Sequence, residues 1–246
     1  MKRQGAEHED EAVSIADALR GAWENLPLLL LQSVLACLGF GLVVFALPGL
    51  TPLSVLLGMA LLAPVFASMI HTALSIIDGD DPRVRDWLFS FRRGWSRSLG
   101  QALCCAVPIA LTLVAWQALN SAAQLWLYLP VVVGGSVSVI IVLALPIVFA
   151  LNAELPARAA SNSGQAEASR PGVEKWLLAC HLLARRPIPF LAVAALAVLG
   201  IWLAANLSAA LMLLLPVPVA LVAALAYRTV LAQLNIHQTT TAGAAQ

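Results

Sequence analysis

Residues 78–97 read DGDDPRVRDWLFSFRRGWSR and lie between two long runs that contain no charged residue. Gly79 suits the end of a preceding helix, because it takes a left-handed backbone without steric cost. Asp81 offers an N-cap oxygen, and Pro82 fits a first helical position. From there Val84, Leu88, Phe91 and Trp95 recur at helical spacing, with Trp87 beside them. Arg83, Asp86, Arg93 and Arg97 fall on the other side, and Arg85 and Arg92 flank the stripe. The pattern predicts an amphipathic helix over 82–97, with five Arg against one Asp. Such a helix suits the headgroup layer, its rings in the acyl boundary and its guanidinium groups on anionic phosphates. The plainer reading is a connector that anchors two membrane hairpins.

The runs on either side fix the class. No Asp, Glu, Lys or Arg occurs from Asn25 to Ile77, from Ser98 to Ala153, or from Pro187 to Tyr227. Each run has room for two spans of about 20 residues and a short turn. Backbone groups in lipid must pair within the segment, so the runs are expected to be helical. The whole chain of 246 residues is 61% hydrophobic and only 11% charged, against about a quarter charged in an average soluble domain. The expected fold is therefore an all-α polytopic membrane bundle of six helices in three hairpins. The expected spans are 25–47, 53–77, 98–118, 128–151, 187–206 and 208–230. A cytoplasmic segment 1–24 with an interfacial helix precedes the membrane domain 25–230, and a disordered tail 231–246 follows it.

Charge distribution sets the orientation. Three basic residues precede the first hairpin, five separate the first from the second, five separate the second from the third, and one follows. The turns inside the hairpins carry none, so the positive-inside rule puts the basic side and both termini in the cytoplasm. Segment 1–24 carries six acids against three bases, which weighs little in that rule and argues against a cleaved signal peptide. Cys37, Cys104, Cys105 and Cys180 show neither disulfide-framework nor metal-site spacing and read as small packing residues.

The units rhyme. Each begins with a short helix containing Trp and Arg: 11–24, 82–97 and 173–186. Each returning span carries a Pro after an apolar run, at Pro64, Pro146 and Pro216. Kinks at matching places would bound a central cavity. Residues 152–172, which include SNSGQAEAS, read as a flexible loop. Gly134, Gly135, Ser136 and Ser138 form a small-residue patch that suits close helix packing.

Two groups of residues are candidates for function. Arg83, Arg85, Trp87, Phe91, Arg92, Arg93, Trp95 and Arg97 are the lipid- or partner-docking set. Ser68, His71, Thr72 and Ser75 share one face of the second span and would line a polar cavity, with His71 as a ligand-contacting or proton-responsive group. The plainer reading of that face is the inner end of a helix, with hydroxyls bonded back to its own carbonyls. Asp78, Asp80 and Asp81 lack calcium-loop spacing and read as capping residues. No metal, cofactor or catalytic residue is expected. No phosphate-binding Gly loop, dinucleotide fingerprint, zincin pair or nucleophile elbow occurs. No acid lies within an expected span, so the usual carboxylate proton relay is missing. The basic stretches abut the membrane, so lipid headgroups suit them better than nucleic acid.

SIADALRGAWENLPLLLLQ, LLAPVFASMIHTALSIIDGDDPRVRDWLFSFRR, VEKWLLACHLLARRPIPFLAV and PVALVAALAYRTVL together cover much of the chain. In these stretches it resembles bacterial six-helix inner-membrane proteins: the YciC-like proteins and the membrane domain fused to some glycerophosphodiester phosphodiesterases. The YesL-like proteins, often associated with sugar uptake systems, look similar across the second span and its basic loop. The resemblance implies a six-helix fold in the bacterial inner membrane and brings no site residues, and the phosphodiesterase activity does not carry over without its catalytic domain. The expected role is non-enzymatic: an accessory or envelope-maintenance protein that docks lipids, a membrane partner or a second copy of itself. The alternative is a small-solute transporter or lipid conduit with its polar cavity at the second span.

Overall fold

A computed structural model describes the backbone of residues 15–122, 126, 128–161, 172–206 and 210–243. It describes their side chains except at 15–17, 122, 154–161, 210 and 233–243. The helices are α1 (Ile15–Glu24), α2 (Leu26–Ala46), α3 (Pro52–Ile77), α4 (Val84–Ala122), α5 (Tyr128–Ser161), α6 (Gly172–Arg185), α7 (Pro187–Asn206), α8 (Ala210–Leu214) and α9 (Pro216–Gly243). There is no strand among the described residues. Six segments are long and apolar enough to cross a membrane: 26–46, 52–77, 84–121, 128–153, 187–206 and 211–232. Large apolar side chains such as Leu38, Phe45, Val139 and Val198 point outward from them. Such a surface needs lipid around it, and the chain is a multi-pass membrane protein.

Local chemistry sets the corners. Thr51 caps α3 by accepting from the Ser54 N–H at 3.1 Å, while Ser54 Oγ accepts from the Thr51 N–H at 2.9 Å. This is a reciprocal capping box with Pro52 in the first turn. The other end of α3 closes in a Schellman turn, with Gly79 at φ +81°. The Gly79 N–H donates to Ile76 O at 3.1 Å and the Asp80 N–H to Ser75 O at 2.9 Å.

The expected helix over 82–97 and the expected span from 98 form one 39-residue helix, α4. At 1.5 Å per residue it is about 58 Å long, nearly twice the ~30 Å hydrocarbon thickness. The reason lies in the junctions. Pro27 and Pro187 mark the breaks between α1 and α2 and between α6 and α7, but no Pro occurs between Pro82 and Pro108. Helix α4 also starts two residues later than Pro82 predicts. Asp86 Oδ2 accepts from the Arg83 N–H at 3.2 Å, so Asp86 takes the capping role expected of Asp81.

Two other boundaries move outward. Helix α5 runs to Ser161 and α9 to Gly243, beyond the expected span ends at 151 and 230. In α9 neither Pro nor Gly interrupts 219–242, so the backbone continues as helix through most of the expected tail. Residues 1–14 of the expected cytoplasmic segment, the loop core 162–171 and the tail end 244–246 lie outside the described residues.

The hairpins assemble cyclically. The returning helices α3, α5 and α9 all touch one another. Each incoming helix packs against its own partner and the previous returning helix: α2 against α3 and α9, α4 against α5 and α3, α7 against α9 and α5. The repeat read from sequence thus corresponds to a threefold contact pattern. The shared core holds Met69, Ile70 and Ala73 of α3, Ala144, Ile147 and Val148 of α5, and Ala220, Ala224 and Tyr227 of α9. It occupies the half of the bundle that carries the basic residues. Trp87 of α4 and Ala179 and Leu182 of α6 are buried at that same end.

The prolines behave unequally. Pro64 and Pro146 sit in uninterrupted helices, whereas Pro216 separates α8 from α9. Pro218 removes a second amide donor two residues on. The freed carbonyls find donors on α2: Ser33 Oγ donates to Leu213 O, and Cys37 Sγ to Met212 O at 3.3 Å. Cys37 is therefore a donor as well as a packing residue. Gly134 of the small-residue patch does allow close approach, since a Cβ there would lie 2.6 Å from Thr112 Oγ1. Gly135 faces open space.

Candidate functional site

The two groups of candidate residues meet at the basic end, along the antiparallel pair α3 and α4. Ser68 and Thr72 border the crevices described below, but both are buried and their hydroxyls are engaged in hydrogen bonds. Thr72 is 2% exposed; its hydroxyl accepts from Gln32 Nε2 at 2.9 Å and donates to Ser68 O at 3.0 Å. Ser68 Oγ donates to Val65 O at 2.7 Å and accepts from the Trp87 indole N–H at 3.0 Å. These hydroxyls clamp α2 and α4 onto α3, so the face read as cavity lining is in large part a polar seam between helices.

Trp87 is 7% exposed, and Phe91 is half-buried and packs against the core, so α3 covers most of the Trp87 ring and part of the stripe is turned inward. The Phe91 ring lies 5.8 Å from Trp87 and 5.0 Å from Trp95, edge to face with the latter. Trp95, Arg83, Arg85, Arg92, Arg93 and Arg97 are exposed.

His71 and Ser75 are half-buried and face open space. A crevice of about 190 Å³ opens between α3, α4 and α5, lined by Pro64, Ala67, Ser68, His71, Phe89, Ser90, Phe91, Arg93, Gly94, Arg97, Ser98, Phe149, Asn152 and Ala153. A second space of about 270 Å³, bordered by Asp80, Asp81 and Asp86, lies on the other side of His71 and Ser90. The imidazole thus stands between a basic and an acidic crevice.

Asn152 is the fixed point of the basic crevice. Its Nδ2 donates to Gln101 Oε1 at 2.7 Å, and its Oδ1 accepts from Lys175 Nζ at 2.8 Å. Three elements, α4, α5 and α6, are tied there. Burial and then the nearby Arg97 guanidinium push the Lys175 amine below its ordinary value. At the rim of the same end, Arg228 of α9 pairs with Asp78 at the end of α3.

Asn152, Gln101, Lys175 and Gln32 were not among the candidates. Gln32 carried a signal: an amide inside an apolar run demands a partner. Asn152 stands at the last charge-free position but one of its run, and its partners come from two other helices. No group of three His, Cys, Asp or Glu able to hold a metal occurs among the described residues. Comparison with protein families, curated proteins and solved structures finds no match to this chain.

Proposed function

We propose that this is a non-enzymatic accessory protein of the bacterial inner membrane, with its basic end in the cytoplasm, that docks anionic lipid headgroups through α4. The observation that carries this reading is α4 itself. It is one continuous helix, long enough to span the bilayer, that also bears four exposed Arg at its basic end, with Arg83 just ahead of it. Docking there acts on a helix already clamped to α3 by Trp87 and Ser68, so the surface is pre-organised. The positive-inside rule supports the orientation. The conduit reading loses support because Ser68 and Thr72 are spent on helix packing.

The test is extraction into native nanodiscs, followed by mass spectrometry of the lipids and proteins retained. The wild-type chain is expected to hold anionic lipid above its bulk fraction, and Arg83→Gln/Arg85→Gln/Arg92→Gln to lose part of that excess. A lipid profile equal to bulk in both chains refutes the reading. A copurifying protein that the triple variant loses would replace the lipid with a partner.

A further inference from the structure

The crevice between α3, α4 and α5 has the lining of a binding site rather than a packing defect. One wall is cationic: Arg93 and Arg97 line it, and Lys175 reaches its edge through Asn152. Neither Arg93 nor Arg97 has an acidic partner among the described residues. The apolar lining comes from Phe89, exposed and one turn before Arg93 on the same face of α4, and from Phe149 of α5, which is buried. Asn152 is held by a bond at each end of its amide, so the side chain that anchors Lys175 is already oriented. The half-buried Ser90 hydroxyl has no hydrogen-bond partner among the described residues and lines the same space. The volume of about 190 Å³ corresponds to about six waters at about 30 Å³ each, enough for a phosphate group and too little for an acyl chain.

We infer that this crevice binds the phosphate of an anionic membrane phospholipid, between Arg93 and Arg97, with the glycerol end of the lipid leaving past Phe89. The inference rests on the lipid-docking reading and narrows it to one site. Two guanidinium groups converging on one pocket suit a phosphate, which accepts paired N–H bonds from each. Arg97 and Lys175 repel each other, and an anion between them relieves that repulsion. The apolar mouth selects a lipid over a free anion.

The experiment uses the full chain in neutral detergent, titrated with short-chain phosphatidic acid and read by native mass spectrometry. Inorganic phosphate serves as competitor and diacylglycerol as the uncharged control. Arg93→Gln/Arg97→Gln is expected to weaken lipid binding about tenfold or more. Arg83→Gln/Arg85→Gln, which removes the same charge at the start of α4 outside the crevice, is expected to weaken it far less. Ser90→Phe fills the crevice without changing charge and is expected to weaken binding as well. Circular dichroism and gel filtration report whether each variant keeps its fold.

Equal losses in the two double variants would overturn the crevice site and leave general docking by α4 standing. Full binding by Arg93→Gln/Arg97→Gln would do the same. Inorganic phosphate competing as well as the lipid would overturn the lipid as occupant. No lipid binding by the wild-type chain would overturn both the site and the docking function.

Discussion

Trp87 decides between two pictures of α4, and its bond to Ser68 allows a quantitative test. If the ring lay in the acyl boundary, Trp87→Phe would preserve its apolar contact and cost almost nothing. In the structure the ring is 7% exposed and its Nε1–H donates to Ser68 Oγ at 3.0 Å. Replacement by Phe removes that donor and leaves a small void beside Phe91. Losing the bond costs about 0.5–1.5 kcal/mol, and the void adds a further amount that depends on relaxation. Ser68→Ala removes the acceptor and also the local bond from Ser68 Oγ to Val65 O. A double-mutant cycle cancels these side effects and isolates the Trp87–Ser68 interaction. The assay is reversible unfolding of the purified chain in mild detergent, followed by far-ultraviolet circular dichroism. The expected coupling is about 1 kcal/mol, with each single variant less stable than wild type. Additive single effects, or a Trp87→Phe chain as stable as wild type, would refute the argument that this bond clamps α4 to α3.

Two further comparisons test the packing. Gly134→Ala is expected to destabilise the chain while Gly135→Ala is neutral, because only the first Cβ meets Thr112 Oγ1, at 2.6 Å; equal thermal midpoints for the two variants would contradict the α4–α5 contact. Ser33→Ala is expected to cost about 0.5–1.5 kcal/mol, the net worth of a hydrogen bond, and less in a Pro216→Ala background, where the Val217 N–H is free to reach Leu213 O; the same cost in both backgrounds would show that the break at Pro216 does not set the Ser33 bond.

What was legible in the sequence followed from terms that act locally or along one dimension. Charge-free runs pointed to the six helices that are long and apolar enough to cross a membrane, because lipid penalises a charge wherever it falls in a span. Gly79 marked the end of α3 for a backbone reason that needs no tertiary partner. Two features of α4 were not legible. An isolated helical wheel places Trp87 and Phe91 on an apolar stripe but cannot say whether lipid or α3 covers it. The join at Ser98 depends on the absence of a breaker, which charge patterning does not register. The candidate site divides in the same way. The exposed Arg residues followed from the chain's own charge pattern, whereas the Asn152 anchor needs α4, α5 and α6 together and has no signature at short range.

The cyclic contact pattern explains why the crevice forms in one place. Each incoming helix touches two returning helices, so the same pairing of elements occurs three times. In the first and third units a break near Pro27 or Pro187 separates the short basic-end helix from the span. That freedom lets α1 and α6 fold against α3 and α5 respectively. In the second unit no break occurs, and α4 continues as a single rod. Arg93 and Arg97 are therefore carried into the space beside α5 instead of folding away from it. A break at that junction should undo the arrangement: Ser98→Pro would interrupt α4 at the position where the other two units turn. It would also remove the Ser98 hydroxyl bonds to Gly94 O and Trp95 O, at 2.9 and 3.0 Å. On this argument the rigidity of α4 generates the basic crevice, and threefold packing alone does not.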